Sequence, residues 1–189
     1  MVHEDLKLIL DDARESMDHS IEHFMHELRS IRAGRANPSM LENVRVDYYG
    51  SQTPLDQMAS VNAPQPDLIL IQPWDKTVLA DVEKAILSAN LGLNPSNDGT
   101  FIRLPVPPLS EERRRDLVKT VKSRGEEAKI SLRNVRRTAK EMIKATQKDE
   151  NLPEDMAYES EEKLQNLTNE YGKKVDEMLV HKEAEIMEV

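Results

Sequence analysis

The chain has 189 residues, 38% of them hydrophobic, and its 26 Lys and Arg against 35 Asp and Glu leave a formal net charge of -9. Length and apolar content suit one ordinary domain or two small ones and argue against wholesale disorder. The absence of Cys excludes a disulfide framework, a thiol nucleophile and a cysteine-built zinc site, and 4% aromatic residues are too few for a base-stacking sheet surface.

The first segment places Leu6, Ile9, Ala13, Met17, Ile21, Phe24, Leu28 and Ile31 at alternating spacings of three and four. This predicts one long helix from about residue 3 to about residue 33. A second such stripe runs through Val118, Val121, Gly125, Ala128, Leu132, Val135, Ala139 and Met142. Pro107 and Pro108 cannot lie inside that helix, Ser110 is a natural N-cap, and Glu111 and Glu112 suit its first turn. A third stripe, Leu164, Leu167, Tyr171, Val175 and Met178, follows Pro153. Each helix is expected to be about 45 Å long, with a single apolar stripe. Three such helices bury their stripes best against one another, as a thin three-helix bundle.

Residues between Asn37 and Pro108 read differently. Val44, Val46 and Tyr48 alternate with polar residues and predict a strand, with a turn at Tyr49-Gly50-Ser51. Leu68 to Ile71 is a short apolar run of strand length. Val78, Val82, Ala85 and Ile86 predict a short amphipathic helix after Asp75. Thr100 to Leu104 reads as a last strand, entered through Asn97-Asp98-Gly99. The expected fold class is therefore α+β: an elongated three-helix bundle made of residues 1–33 and 107–189, with a small α/β domain, residues 34–106, inserted in it. Two connections join the domains. Arg32, Ala33, Gly34, Arg35 and Ala36 form the first, and Leu104, Pro105, Val106 and Pro107 lie in the second. Small residues in one and prolines in the other predict a hinge of restricted range.

Charge is unevenly spread. Residues 113–148 carry thirteen bases and four acids, whereas residues 149–189 carry four bases and thirteen acids. With Ala128 at the zero of a helical wheel, Leu132, Val135 and Ala139 cluster near it. Lys129, Arg133, Arg136, Arg137, Lys140 and Lys144 fall about 80° to 180° away, and Lys122 and Arg115 join them. Such a stripe suits phosphate oxygens and can track a nucleic-acid backbone. It also suits pairing with the acidic last helix, which could satisfy the bases at the seam but not all of them. Arg133 and Arg136 lie off the apolar stripe, so their removal is expected to leave the helix folded. Arg29, Arg32 and Arg35 make a second basic group at the end of the first helix, where the helix dipole already favours cations.

Other signals are weaker. His19, His23 and His26 fall opposite the apolar stripe with no further convergent ligand, and His26-Glu27 lacks the second His of a zinc-protease motif, so no metal is expected. No phosphate-binding Gly-rich loop appears, so no nucleotide cofactor is expected. Carboxylates spread along helix faces read as solubilising, and catalysis has little support. Trp74 reads as a packing residue. No apolar run approaches the ~20 residues of a membrane span. The acidic N-terminus lacks a signal-type apolar stretch and a visible transit peptide, so the chain is expected to start at Met1 and to stay in the cytoplasm.

Several stretches together carry a resemblance. They are Ile31-Arg32-Ala33-Gly34-Arg35-Ala36-Asn37-Pro38, Val46-Asp47-Tyr48-Tyr49-Gly50, Thr53-Pro54-Leu55, Leu91-Gly92-Leu93-Asn94-Pro95, Ile102 through Leu109 into Ser110-Glu111-Glu112-Arg113-Arg114, and Arg133-Asn134-Val135-Arg136-Arg137. In this order and nearly end to end, the chain resembles the bacterial ribosome recycling factors; Asn37 stands where Ser is common in that family. The resemblance implies an L-shaped pair of domains that binds the ribosome after termination as a monomer, away from membranes. With elongation factor G and that partner's GTP hydrolysis, it would split the ribosome into subunits and free mRNA and tRNA. It also implies that Arg133, Arg136 and Arg137, with Lys129, Lys140 and Lys122 on the same face, contact large-subunit rRNA. Arg32 and Arg35 match the family's basic junction, and the hinge residues match its flexible joint. Three rivals remain at this point: an adaptor that docks another helix, a stand-alone RNA-binding module, and an enzyme, which would need a pocket not visible in the sequence.

Overall fold

The computed structural model describes residues 3–188. Its four helices and two antiparallel sheets divide into two units. One runs to Ile31 and resumes at Glu111, and the other is Arg32–Ser110. Both boundaries thus assign a few more residues to the smaller unit than the sequence suggests.

The larger unit holds α1 (Glu4–Ser30), α3 (Glu111–Asp149) and α4 (Glu154–Met187). Their 27, 39 and 34 residues correspond to about 40, 58 and 51 Å, so α3 exceeds the expected length and α1 falls short of it. Helix α1 ends early because Ile31 is already extended (φ -84, ψ 113). The three helices pack pairwise on one another. Leu6, Ile9, Ala13, Met17, Phe24 and Leu28 of α1 meet Val121, Ala128, Leu132 and Ala139 of α3 and Leu164, Leu167 and Val175 of α4 in the core. Burying each of the larger side chains contributes about 1.5–3 kcal/mol.

The stripes drift toward their ends. Ile143, not Met142, fills the core position after Ala139, and Met142 is exposed. A straight helix turns 3.6 residues per turn, so a strict seven-residue pattern slides off the core face over several turns. Two polar pairs lie between the bundle's helices. The Tyr171 hydroxyl donates to Asp18 Oδ1, and the Ser20 and Ser131 hydroxyls lie 2.9 Å apart.

The smaller unit has a two-stranded hairpin, β1 (Arg45–Tyr48) with β2 (Ser51–Pro54). A four-stranded antiparallel sheet is formed by β3 (Ala59–Gln65), β4 (Leu68–Pro73), β5 (Ser96–Asn97) and β6 (Ile102–Pro105), in the order β3-β4-β6-β5. Helix α2 (Leu79–Ser88) follows a short turn, and Asp75 Oδ1 accepts from Thr77 N at 2.9 Å at its entry. Ile69 and Ile71 of β4, Ile102 and Leu104 of β6, and Val82 and Ile86 of α2 form one core with Val46 and Leu55. The strand expected at Val44–Tyr48, the run at Leu68–Ile71 and the last strand are present. Strands β2, β3 and β5 were not legible. Strand β3 contains Pro64, and its register to β4 is irregular between Asn62 and Gln65, as an edge strand with a proline tolerates. No helix among the described residues is long and apolar enough to cross a membrane.

Candidate functional site

The most concentrated charge on the protein lies along α3. Arg115, Lys119, Lys122, Glu126, Lys129, Arg133, Arg137, Lys140, Lys144 and Lys148 succeed one another at steps of three and four, which keeps them on one side of the helix. All are exposed except Lys129, which is half-buried. They make a nearly continuous cationic line about 50 Å long.

Part of the line is already paired. Lys129 Nζ lies 2.6 Å from Asp176 and Lys140 Nζ 2.8 Å from Glu161, both on α4. Arg133 pairs through Nη2 with Glu126, the one acid in the line. Arg115 pairs with Glu111. Among the described residues, Lys119, Lys122, Arg137, Lys144 and Lys148 have no ion-pair partner. The acidic last helix therefore satisfies the seam and leaves the outer line open. Exposed ion pairs contribute only about 0–1 kcal/mol each, so these carboxylates hold Lys129, Arg133 and Lys140 only weakly.

Arg136 differs from its neighbours. It is half-buried, its Nη1 donates to Gln165 Oε1 on α4 at 2.7 Å, and its Nε is buried without a partner. The expectation that it stands clear of the packed face is corrected: Arg136 belongs to the α3–α4 seam. The wheel places it only 80° from the core direction, and α4 closes over that side. Lys119, between Arg115 and Lys122, and Lys148, at the far end of the line, were missed, although their three-and-four spacing from Lys122 and Lys144 was there to be read.

The second basic group lies at the first connection. Arg35 is exposed. Arg32 is half-buried; its Nη2 donates to Pro107 O at 3.4 Å, its Nε is buried without a partner, and burial lowers its pKa. Arg32 thus ties the two connections together where they enter the smaller unit. Gly34 has φ +85, and a Cβ there would lie 2.7 Å from Leu109 Cγ, so only glycine fits this close approach. Ala33 lies beside it outside any regular element, while Ala36 N donates to Pro66 O at 2.7 Å.

The second connection is shorter than expected. Leu104 and Pro105 lie in β6, paired with Ile69 and Leu68. Val106 is buried and its N–H donates to Asp67 O at 2.7 Å. Three of the four residues read as hinge therefore belong to the sheet and core of the smaller unit, and only Pro107 stands outside them. Alternating apolar residues and prolines read equally well as linker or edge-bound strand, and the pairing with β4 decides.

His19, His23 and His26 are exposed on α1; His19 neighbours Glu15 and Glu22, and His23 neighbours Glu27. The three do not converge. Trp74 is 70% exposed, so the expectation of a packing residue is corrected; only its backbone N–H is anchored, to Met58 O at 3.2 Å.

Residues 24–187 match the family model described as ribosome recycling factor. The chain belongs to the ribosome recycling factor family. A ribosome-recycling factor of Salinibacter ruber is 55% identical over 181 residues, 96% of each chain, and one of Bacillus subtilis is 49% identical over 183 residues, 97% of this chain and 99% of the other. Among solved structures, the solution structure of a ribosome recycling factor superposes with a TM-score of 0.81 at 39% identity, over 100% of both chains. Models of the T. thermophilus ribosome recycling factor and the E. coli elongation factor G bound to the E. coli post-termination complex match at TM-score 0.64 and 41% identity, again over 100% of both chains. The family's helical bundle and small sheet unit are thus both present here, with the cationic line on the bundle's longest helix.

Proposed function

We propose that this chain binds the post-termination ribosome through the cationic line of α3 and, with elongation factor G, splits it into subunits, releasing mRNA and tRNA. The observation that carries the reading is the line itself: nine bases in ten consecutive facing positions, five of them without an ion-pair partner among the described residues. Arg133, Arg137, Lys122, Lys129 and Lys140 contact rRNA phosphates of the large subunit, and Arg136 holds the seam that presents them. Membership of the family, and a similar structure that pairs a recycling factor with elongation factor G on a post-termination complex, support the same reading.

The chain acts without catalysis of its own. GTP hydrolysis by elongation factor G supplies the energy, and the bundle transmits the push as a rigid body. Bending is confined to residues 31–35 and 107–110, outside the regular elements. The protein works as a monomer in the cytoplasm. The acidic face of α4 keeps the rest of the bundle off RNA and so orients docking.

Binding to isolated large subunits tests the reading. Arg133→Ala with Arg137→Ala should weaken binding at least tenfold. The salt dependence should flatten by about 0.7–0.9 log units of slope for each phosphate that the variant leaves unneutralised. The helical signal should be unchanged. Undiminished affinity in the folded double variant would remove the α3 line as the ribosome-binding face.

A further inference from the structure

We propose that His3, Asp5 and Glu150 form a divalent-cation site, suited to Zn2+, that ties the start of α1 to the turn between α3 and α4. His3 immediately precedes α1, Asp5 lies in its first turn, and Glu150 is the first residue beyond α3. One ligand atom from each of the three lies within 4.8 Å of the others. His3 Nε2 is 3.0 Å from Glu150 Oε2. A tetrahedral zinc ion with bonds of about 2.0–2.2 Å holds its ligand atoms roughly 3.4 Å apart, so the widest separation would close by up to about 1.4 Å and the His3–Glu150 pair would open by about 0.4 Å.

The donor set selects the metal class. One imidazole nitrogen with two carboxylates is a zinc-type set, whereas Mg2+ and Ca2+ take oxygen ligands. The His3 and Glu150 side chains are 28% and 41% exposed, which leaves access for water at the fourth position. The surroundings favour a cation. Glu4, Asp149, Glu154 and Asp155 lie in the same turn and helix starts. His3 Nδ1 is buried without a hydrogen-bond partner, so the bond to Glu150 alone orients the ring.

A bound ion would clamp three helix ends, and mass action would raise the bundle's stability with zinc concentration. The site is independent of the ribosome reading. Its test is calorimetric titration of the full chain with ZnCl2, with MgCl2 in parallel. One zinc equivalent should bind, magnesium should not compete, and the melting temperature should rise with zinc. His3→Ala and Glu150→Gln should each weaken binding at least tenfold, and His19→Ala should leave it unchanged. In the unmodified chain, the His3 imidazole NMR signals should shift on zinc addition. Absence of one-equivalent binding, unshifted His3 signals, or affinity indifferent to His3→Ala would each overturn the proposal.

Discussion

Gly125 and Leu179 interlock where α3 meets α4: a Cβ at position 125 would lie 2.6 Å from both methyl carbons of Leu179 and 2.9 Å from its Cγ. Glycine in the middle of a 39-residue helix costs about 1 kcal/mol relative to alanine, and close packing against Leu179 offsets that cost. Gly125→Ala alone is therefore expected to destabilise the bundle by about 1 kcal/mol, because the overpacking exceeds the gain in helix propensity. In a Leu179→Ala background the same change should stabilise by about 1 kcal/mol, since only the propensity gain remains. Urea unfolding of the four proteins in this cycle reads the change of sign.

Gly34 faces a similar neighbour with an added backbone constraint. Its φ of +85 is costly for any residue with a Cβ, and Leu109 occupies the space such a Cβ would take. Gly34→Ala should lower stability by about 1–2 kcal/mol from the backbone alone, with a further steric cost. Leu109→Ala should recover the steric part and leave the backbone part, as measured by the unfolding midpoints of the single and double variants.

Tyr171 gives the bundle an alkaline limit. Burial, and then its hydrogen bond to Asp18, push its phenol up to about 12 from an ordinary value of 10.0. A proton held more tightly in the folded state contributes stability that is complete below pH 10.0 and is lost as pH rises through about 12. Unfolding free energy should therefore fall across that window, and Tyr171→Phe should flatten the fall. At neutral pH the same variant should cost about 1 kcal/mol for the missing hydrogen bond, with Asp18 left partly unpaired.

Arg136 and Arg137 are neighbours in sequence with opposite expectations. Arg136→Ala removes the bond to Gln165 across the seam and should lower the melting temperature. Arg137→Ala touches no such partner and should leave the melting temperature unchanged while weakening large-subunit binding. Thermal unfolding and subunit binding of the two variants, measured side by side, separate seam from surface.

Much of this was legible in the sequence. The three long apolar stripes announced the bundle, because Leu6 to Leu28, Val121 to Ala139 and Leu164 to Val175 each keep one face for several turns. Drift at the stripe ends was not legible: Ile143 replaces Met142 in the core, and Leu179 presses on Gly125 beside the half-buried Met178. In the smaller unit, Ile69 and Ile71 and the Asn97-Asp98-Gly99 turn marked the sheet. Strands β2 and β3 were hidden by Gln52, Thr53 and Pro64, which have little apolar alternation to offer. Helical-wheel geometry found the basic face, but it could not tell that α4 covers Arg136 and leaves Arg137 open. Leu104 and Val106 read as linker because their partners, Ile69 and Asp67, lie far away in sequence. The trio of His3, Asp5 and Glu150 was invisible for the same reason.

Subunit splitting followed by light scattering tests the central claim most directly. Post-termination ribosomes would be mixed with this protein, elongation factor G and GTP, and each component would be left out in turn. Loss of scattering only when all are present, and its slowing in the Arg133→Ala, Arg137→Ala variant, is the predicted result. Undiminished scattering with the folded protein and a matched elongation factor would contradict it.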